Sequence, residues 1–197
     1  SAVSYKNPVV DIAMPDPTVI KAADGYFYVY ATESTRHVPI MKSKDLVEWT
    51  YCNTAFTNTT RPRFEPKAGI WAPDINYING KYVLYYAMSV WGGEQTCGIG
   101  VATANSPQGP FTDHGKMFRS NEIGVQNSID PSLLQYEGRN YLVWGSFRGI
   151  YVIELTTDGL SIMPGAKKKR IAGTAFEAVY IHKHDDYYYM FASIGSC

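Results

Sequence analysis

The chain has 197 residues, 45% of them hydrophobic, 14% aromatic and 18% charged, with 18 basic residues matched by 18 acidic ones for a formal net charge of zero. That composition excludes a disordered chain, supplies enough residues for a sizeable core, and leaves no global basic field of the kind that gathers nucleic acid. No run of 18 apolar residues is present to cross a membrane as a helix, and no signal peptide is visible at Ser1-Ala2-Val3, a start that reads equally as a mature or trimmed terminus.

Helix signals are nearly missing along the chain, whereas Val, Ile, Tyr, Phe and Thr runs bounded by Gly, Pro, Asn and Asp are dense. The first unit predicts strands over 16–22, 26–32, 38–43 and 48–52. A second unit follows with strands over 74–79, 81–88, 97–104 and 111–117, and a third with 130–136, 140–146, 149–156 and 161–171. Two strands of a fourth unit, 177–183 and 186–193, complete the sequence. The second strands, such as 82–87, are apolar at successive positions rather than alternating, which fits sheets covered on both faces. Turn chemistry links the runs at Asn79-Gly80, Glu137-Gly138, Asp158-Gly159 and Ser106-Pro107-Gln108-Gly109-Pro110.

Each unit opens with an acid entering an apolar run: Asp16, Asp74, Asp130 and Glu177, spaced by 58, 56 and 47 residues. Several short strands repeating at about 50 residues mark a radial array such as a β-propeller. If each acid sits at the same strand start, the four converge on one axis. Propellers are built from at least four blades, and this chain supplies about three and a half. The reading therefore expects either a piece of a longer chain or a second chain or copy that completes the ring.

Carboxylates held close together cannot all ionise at neutral pH, so one is pushed towards its protonated form. A protonated acid beside an ionised one is the equipment for cleaving a glycosidic bond. Taken singly, an Asp before Pro is also a common turn opener, as at Asp16 and Asp130. Other chemistries are weakly represented. Cys52, Cys97 and Cys197 have no zinc-site spacing, and His37, His114, His182 and His184 form no close ligand set. Lys167-Lys168-Lys169-Arg170 reads as a solvated loop, and Gly98-Ile99-Gly100 as a packing feature within a strand.

These residues carry a resemblance. Asp16-Pro17-Thr18-Val19-Ile20, Trp71-Ala72-Pro73-Asp74, the run 82–86, Gly98-Ile99-Gly100-Val101-Ala102-Thr103, Gly109-Pro110-Phe111, Asn127-Ser128-Ile129-Asp130-Pro131, Gly145-Ser146-Phe147, Gly149-Ile150-Tyr151, Phe176-Glu177, and Tyr187-Tyr188-Tyr189 with Ser193 follow in order along nearly the whole chain. The chain resembles an N-terminal portion of glycoside hydrolase family 43, most nearly an arabinanase. The resemblance implies an all-β, five-bladed β-propeller of four-stranded antiparallel blades, here as a single incomplete domain over residues 1–197. It implies an inverting glycosidase that cleaves α-1,5-linked arabinan. Asp16 would be the general base, Glu177 the general acid, and Asp130 the residue that raises the pKa of Glu177 and holds its orientation. Trp71 and Asp74 would line the cleft, and Asn127, Ser146 and Phe147 would face the central subsite; Trp71 also reads as a plain core residue.

The same resemblance implies no cofactor for the chemistry, a structural calcium near the axis that this sequence does not itself specify, a plant cell-wall polysaccharide or oligosaccharide as partner, and a secreted or periplasmic location. Pro15 departs from the His that arabinanases often place before the first catalytic Asp. Alternatives are an α-L-arabinofuranosidase or β-xylosidase of the same family and, in another class, a non-catalytic carbohydrate-binding propeller or a protein-interaction propeller.

Overall fold

The computed structural model describes Ser4, Lys6 and residues 8–33 and 37–195, so Cys197 lies outside the described residues. Strands β1 (Thr18–Lys21), β2 (Phe27–Tyr30), β3 (Pro39–Ser43) and β4 (Thr50–Thr54) form one antiparallel sheet in sequential order. The second sheet is β5 (Gly69–Ile78), β6 (Lys81–Ser89), β7 (Gly98–Ala104) and β8 (Thr112–Arg119); the third is β9 (Ser132–Tyr136), β10 (Arg139–Trp144), β11 (Ile150–Leu155) and β12 (Lys169–Ala172). A final hairpin pairs β13 (Glu177–His184) with β14 (Tyr187–Ser193). Each sheet is a meander, and the first strands touch one another in turn, β1 to β5, β5 to β9 and β9 to β13. This is three propeller blades and the inner half of a fourth, as the sequence predicts.

Two elements depart from expectation. The predicted strand 161–171 shrinks to β12, because a turn interrupts it: the Ala166 N–H donates to Met163 O at 2.9 Å, with Gly165 at φ 80°. A one-turn helix, α1 (Ser120–Ile123), was not foreseen. It starts where Glu122 Oε2 reaches back to the Arg119 N–H at 2.9 Å and stops at Gly124, which has φ 71°. Both features rest on local hydrogen bonds rather than on periodicity.

Apolar faces on both sides of a blade serve two different cores. Along β6, Tyr82, Leu84, Tyr86 and Met88 point into a cluster shared with Tyr28, Tyr30, Ile40 and Phe56 of the first blade. Their neighbours Val83 and Tyr85 point the other way, against Leu142, Trp144, Ile153 and Leu155 of the third. The period-2 alternation of a strand is thus present but invisible as polarity, because neither side meets water. All of Tyr82 to Ser89 is buried. The final hairpin has no further blade against it, and Tyr187, Tyr189, Met190 and Phe191 are exposed.

Gly100 lets the middle blade close. A Cβ placed there would lie 2.3 Å from the Tyr86 hydroxyl and 2.4 Å from its ring, whose phenol donates to Asp113 at 2.5 Å. Tyr86 is fully buried against Phe56 and Phe64, so the ring cannot retreat. Gly100→Ala is expected to cost about 1–3 kcal/mol by overpacking, read as a fall in denaturation midpoint with the slope unchanged. An unaltered midpoint would show that the ring yields.

Candidate active site

Every inner strand opens with the same irregularity. In the second blade, pairing with β6 jumps from Trp71 to Asp74 and skips Ala72 and Pro73. In the fourth, pairing with β14 jumps from Glu177 to Tyr180 and skips Ala178 and Val179. The first and third blades repeat it. The Thr32 N–H donates to Pro15 O and the Gly145 N–H to Ile129 O, beyond the skipped pairs Asp16-Pro17 and Asp130-Pro131. The first skipped residue has positive φ each time: 49° at Asp16, 40° at Ala72, 56° at Asp130 and 50° at Ala178. These are β-bulges with a left-handed residue, a conformation that costs of order 1–3 kcal/mol at a non-glycine position. Proline suits the next position, since it has no N–H to lose from the ladder.

The bulges set which residues share a level around the axis. Asp16, Ala72, Asp130 and Ala178 are equivalent. Asp74 stands two places further on, with Thr18, Ser132 and Tyr180, and Glu177 one place earlier, with Pro15, Trp71 and Ile129. The expectation of four acids at one level is therefore corrected: two share the bulge, and two flank it at different depths.

Asp16, Asp74 and Asp130 nonetheless line one cavity of about 390 Å³, together with Ala72, Ala178 and Tyr180. Asp16 is exposed at the opening and accepts a hydrogen bond from Thr32 Oγ1 at 2.7 Å. Asp130 lies deeper, and its Oδ2 is buried with no hydrogen-bond partner. Burial, and then the negative charges of Glu177 and Asp16, push its carboxyl up to about 7, against a smaller opposing pull from the Ala178 N–H. Asp130 thus feels the other two acids and also grips the backbone next to Glu177.

Asp74 does a different job. Its Oδ2 accepts the Leu133 N–H at 2.8 Å and Asn76 Nδ2 at 2.7 Å. One blade earlier, at the same level, Thr18 Oγ1 accepts the Ile75 N–H at 3.2 Å. Residues 18 and 74 therefore staple each inner strand to the next, and Asp74 borders the cavity as part of that staple. Burial pushes its carboxyl up to about 6.

Both Asp74 and Asp130 hold a proton more tightly folded than unfolded, where 3.8 applies. The folded state binds more protons between about pH 4 and pH 7, so their contribution to stability is present at the acid side and lost as pH rises. Asp130→Asn removes one share of that loss. The Tm difference between this variant and the parent is expected to grow in the variant's favour from pH 4 to pH 7. A difference that stays flat or shrinks would contradict the buried, shifted carboxyl.

Glu177, Trp71, Asn127, Ser146 and Phe147 are not among the residues that line this cavity. Trp71 packs on Ala87, Cys97 and Ile129, and its ring lies 5.5 Å from that of Trp91, tilted by 53°. Trp91, missed in the sequence, is 87% exposed on the β6–β7 loop. Asn127 Nδ2 donates to Ser146 O at 3.2 Å, the Ser146 hydroxyl is buried without a partner, and the Phe147 N–H donates to Phe176 O at 2.9 Å, next to Glu177. Glu94 joins the β6–β7 and β10–β11 loops through Arg148 at 3.0 Å. No group of three or more His, Cys, Asp or Glu side chains among the described residues is placed to hold a metal ion. Cys52 and Cys97 are free thiols, and the stretch Lys167 to Arg170 is exposed.

Three blades thus deliver aspartates to one cavity. The chain belongs to glycosyl hydrolases family 43, whose sequence model matches residues 5–197. It is 35% identical over 196 residues to the extracellular endo-α-(1→5)-L-arabinanase 1 of Bacillus subtilis (strain 168), covering 92% of this chain and 59% of that protein. It is 30% identical over 189 residues to the arabinan endo-1,5-α-L-arabinosidase A of Aspergillus niger, covering 92% of this chain and 58% of that one. Among solved structures, the Cellvibrio cellulosa α-L-arabinanase complexed with arabinohexaose superposes with a TM-score of 0.83 at 28% identity, covering 94% of this chain and 66% of that chain. An exo-1,5-α-L-arabinanase from a bovine ruminal metagenomic library gives 0.81 at 30% identity, covering 98% and 69%. The arabinanase structures are five-bladed propellers of which this chain spans part. It spans about 59% of the length of the curated relatives, and the comparisons give no support to a second chain as the rest of the ring.

Proposed function

We propose that the protein acts as an inverting, endo-acting arabinanase on α-1,5-linked arabinan. The observation that carries this reading is the placement of Asp16 and Asp130 on equivalent bulges of one cavity, with Glu177 close enough for its negative charge to act on Asp130. In this reading Asp16, exposed at the opening, takes a proton from the attacking water. Glu177 gives one to the leaving glycosidic oxygen. Inversion asks for a gap of roughly 6.5–9.5 Å between base and acid, so that water fits beneath the sugar. Asp130, which feels the charge of both, holds the Ala178 N–H and thereby the backbone that aims Glu177. Carboxyl groups and water supply the chemistry without a cofactor. Trp71, Asn127, Ser146 and Phe147 are assigned to the walls of the sugar site, and Asp74 to its floor. The extracellular Bacillus subtilis arabinanase supports secretion and an arabinan substrate, here assigned as the plant cell-wall polysaccharide.

Exo action is the second reading, favoured by the similarity to the ruminal enzyme. Digestion of debranched arabinan separates the two. Endo action is expected to release a ladder of oligosaccharides and lower viscosity early; a single short product from the outset would favour exo action. Hydrolysis of aryl β-xyloside in preference to arabinan would overturn both.

A further inference from the structure

Asp16 and Asp130 occupy equivalent bulges, yet the structure treats their oxygens differently. The second-strand residue that bonds to the backbone just before each bulge is Thr32 for Asp16 and Gly145 for Asp130. Gly145 has φ 125°, and a Cβ there would lie 2.2 Å from Gly149 O, so no donor side chain fits opposite Asp130. Its Oδ2 is accordingly buried and unpartnered. Thr32, in contrast, is fixed by three bonds. Its N–H donates to Pro15 O at 3.0 Å, its hydroxyl oxygen accepts the Ala72 N–H at 2.8 Å, and its hydroxyl lies 2.7 Å from Asp16 Oδ2.

The direction of the last bond follows from the second. A backbone amide can only donate, so Ala72 occupies a lone pair of the Thr32 oxygen and leaves the hydroxyl proton for the carboxylate. Oδ2 of Asp16 is thereby committed as an acceptor, and the carboxylate plane is held against both the first and the second blade.

We propose that Thr32 is a positioning residue that locks Asp16 through Oδ2, leaving Oδ1 as the oxygen that takes the proton from water. The assignment rests on the reading of Asp16 as general base. Its consequence is that the bulge of the second blade, Ala72, orients a catalytic group of the first. Losing the lock lets the carboxylate rotate out of line with the water, an error in geometry that reduces turnover without weakening the grip on sugar.

The test compares Thr32→Val, which keeps the shape and loses both bonds, with Thr32→Ser, which keeps both. For the purified protein on debranched arabinan, Thr32→Val is expected to lower kcat roughly 10- to 100-fold with KM within about twofold, while Thr32→Ser stays within about threefold of the parent. Thermal denaturation of each variant reports whether it folds. A Thr32→Val protein that melts earlier but keeps the parent's kcat would overturn the assignment and make Thr32 a structural staple, as would a Thr32→Ser protein as slow as Thr32→Val. A parent that binds arabino-oligosaccharide but never cleaves it would overturn the general-base reading itself, whatever the variants do.

Discussion

Asp16→Asn is expected to abolish hydrolysis of arabinan and of activated aryl glycosides alike. The amide keeps the volume of the side chain and an oxygen to accept the Thr32 hydroxyl, which lies 2.7 Å from the carboxylate. What it loses is the capacity to accept a proton from water in the transition state. Water attacks in the same way whatever the leaving group, so a good leaving group gives no relief. Loss of a positioned general base removes a factor of roughly 10²–10⁴. Asp16 is exposed and the amide still accepts the Thr32 hydroxyl, so Tm at acid pH is expected to stay near that of the parent, with a smaller fall than the parent's towards pH 7 because one charge pressing on Asp130 is gone. Turnover of either substrate at the parent's rate would remove Asp16 from the mechanism.

Glu177→Gln is expected to divide the two substrates. The polymer's leaving group is a sugar hydroxyl, a poor one until protonated, and its hydrolysis should fall by a factor similar to that for Asp16→Asn. A nitrophenolate departs without protonation, so the aryl glycoside should lose little. The substitution also removes one of the charges that press on Asp130. Part of the destabilisation of that carboxylate goes with it, and the Tm of the variant should fall less than the parent's as pH rises towards 7. Equal losses on polymer and aryl glycoside would mean that Glu177 is not the acid.

Much of the architecture was legible because the blades differ from ordinary sheets in a way that composition reveals. Tyr82 to Ala87 is apolar at each position, and the structure shows why: odd and even residues enter different cores. The acids were legible as strand starts, and Asp16-Pro17 and Asp130-Pro131 stood out because an acid before proline is conspicuous. Their level around the axis was not. Aligning acid with acid matched Asp16 to Asp74, whereas the bulge matches it to Ala72. The signal was present as a third residue-proline pair, Ala72-Pro73, but alanine carries no chemistry to draw the eye. Thr32 was silent for a different reason. Its meaning depends on a fold that brings residues 16 and 72 to either side of one hydroxyl, and no local pattern encodes that meeting. Trp91 was overlooked because it stands alone in a turn, where only its neighbour Trp71 gives it a role.

The claim that a base at residue 16 and an acid at residue 177 work from opposite sides of one bound sugar is tested most directly by the handedness of the first product. Proton NMR of the anomeric region, recorded within the first turnovers on an α-1,5-arabino-oligosaccharide, separates the two anomers before mutarotation mixes them. The β-anomer appearing first, followed by slow equilibration, is the predicted result. Initial release of the α-anomer would place a nucleophile where this account places a base and contradict it.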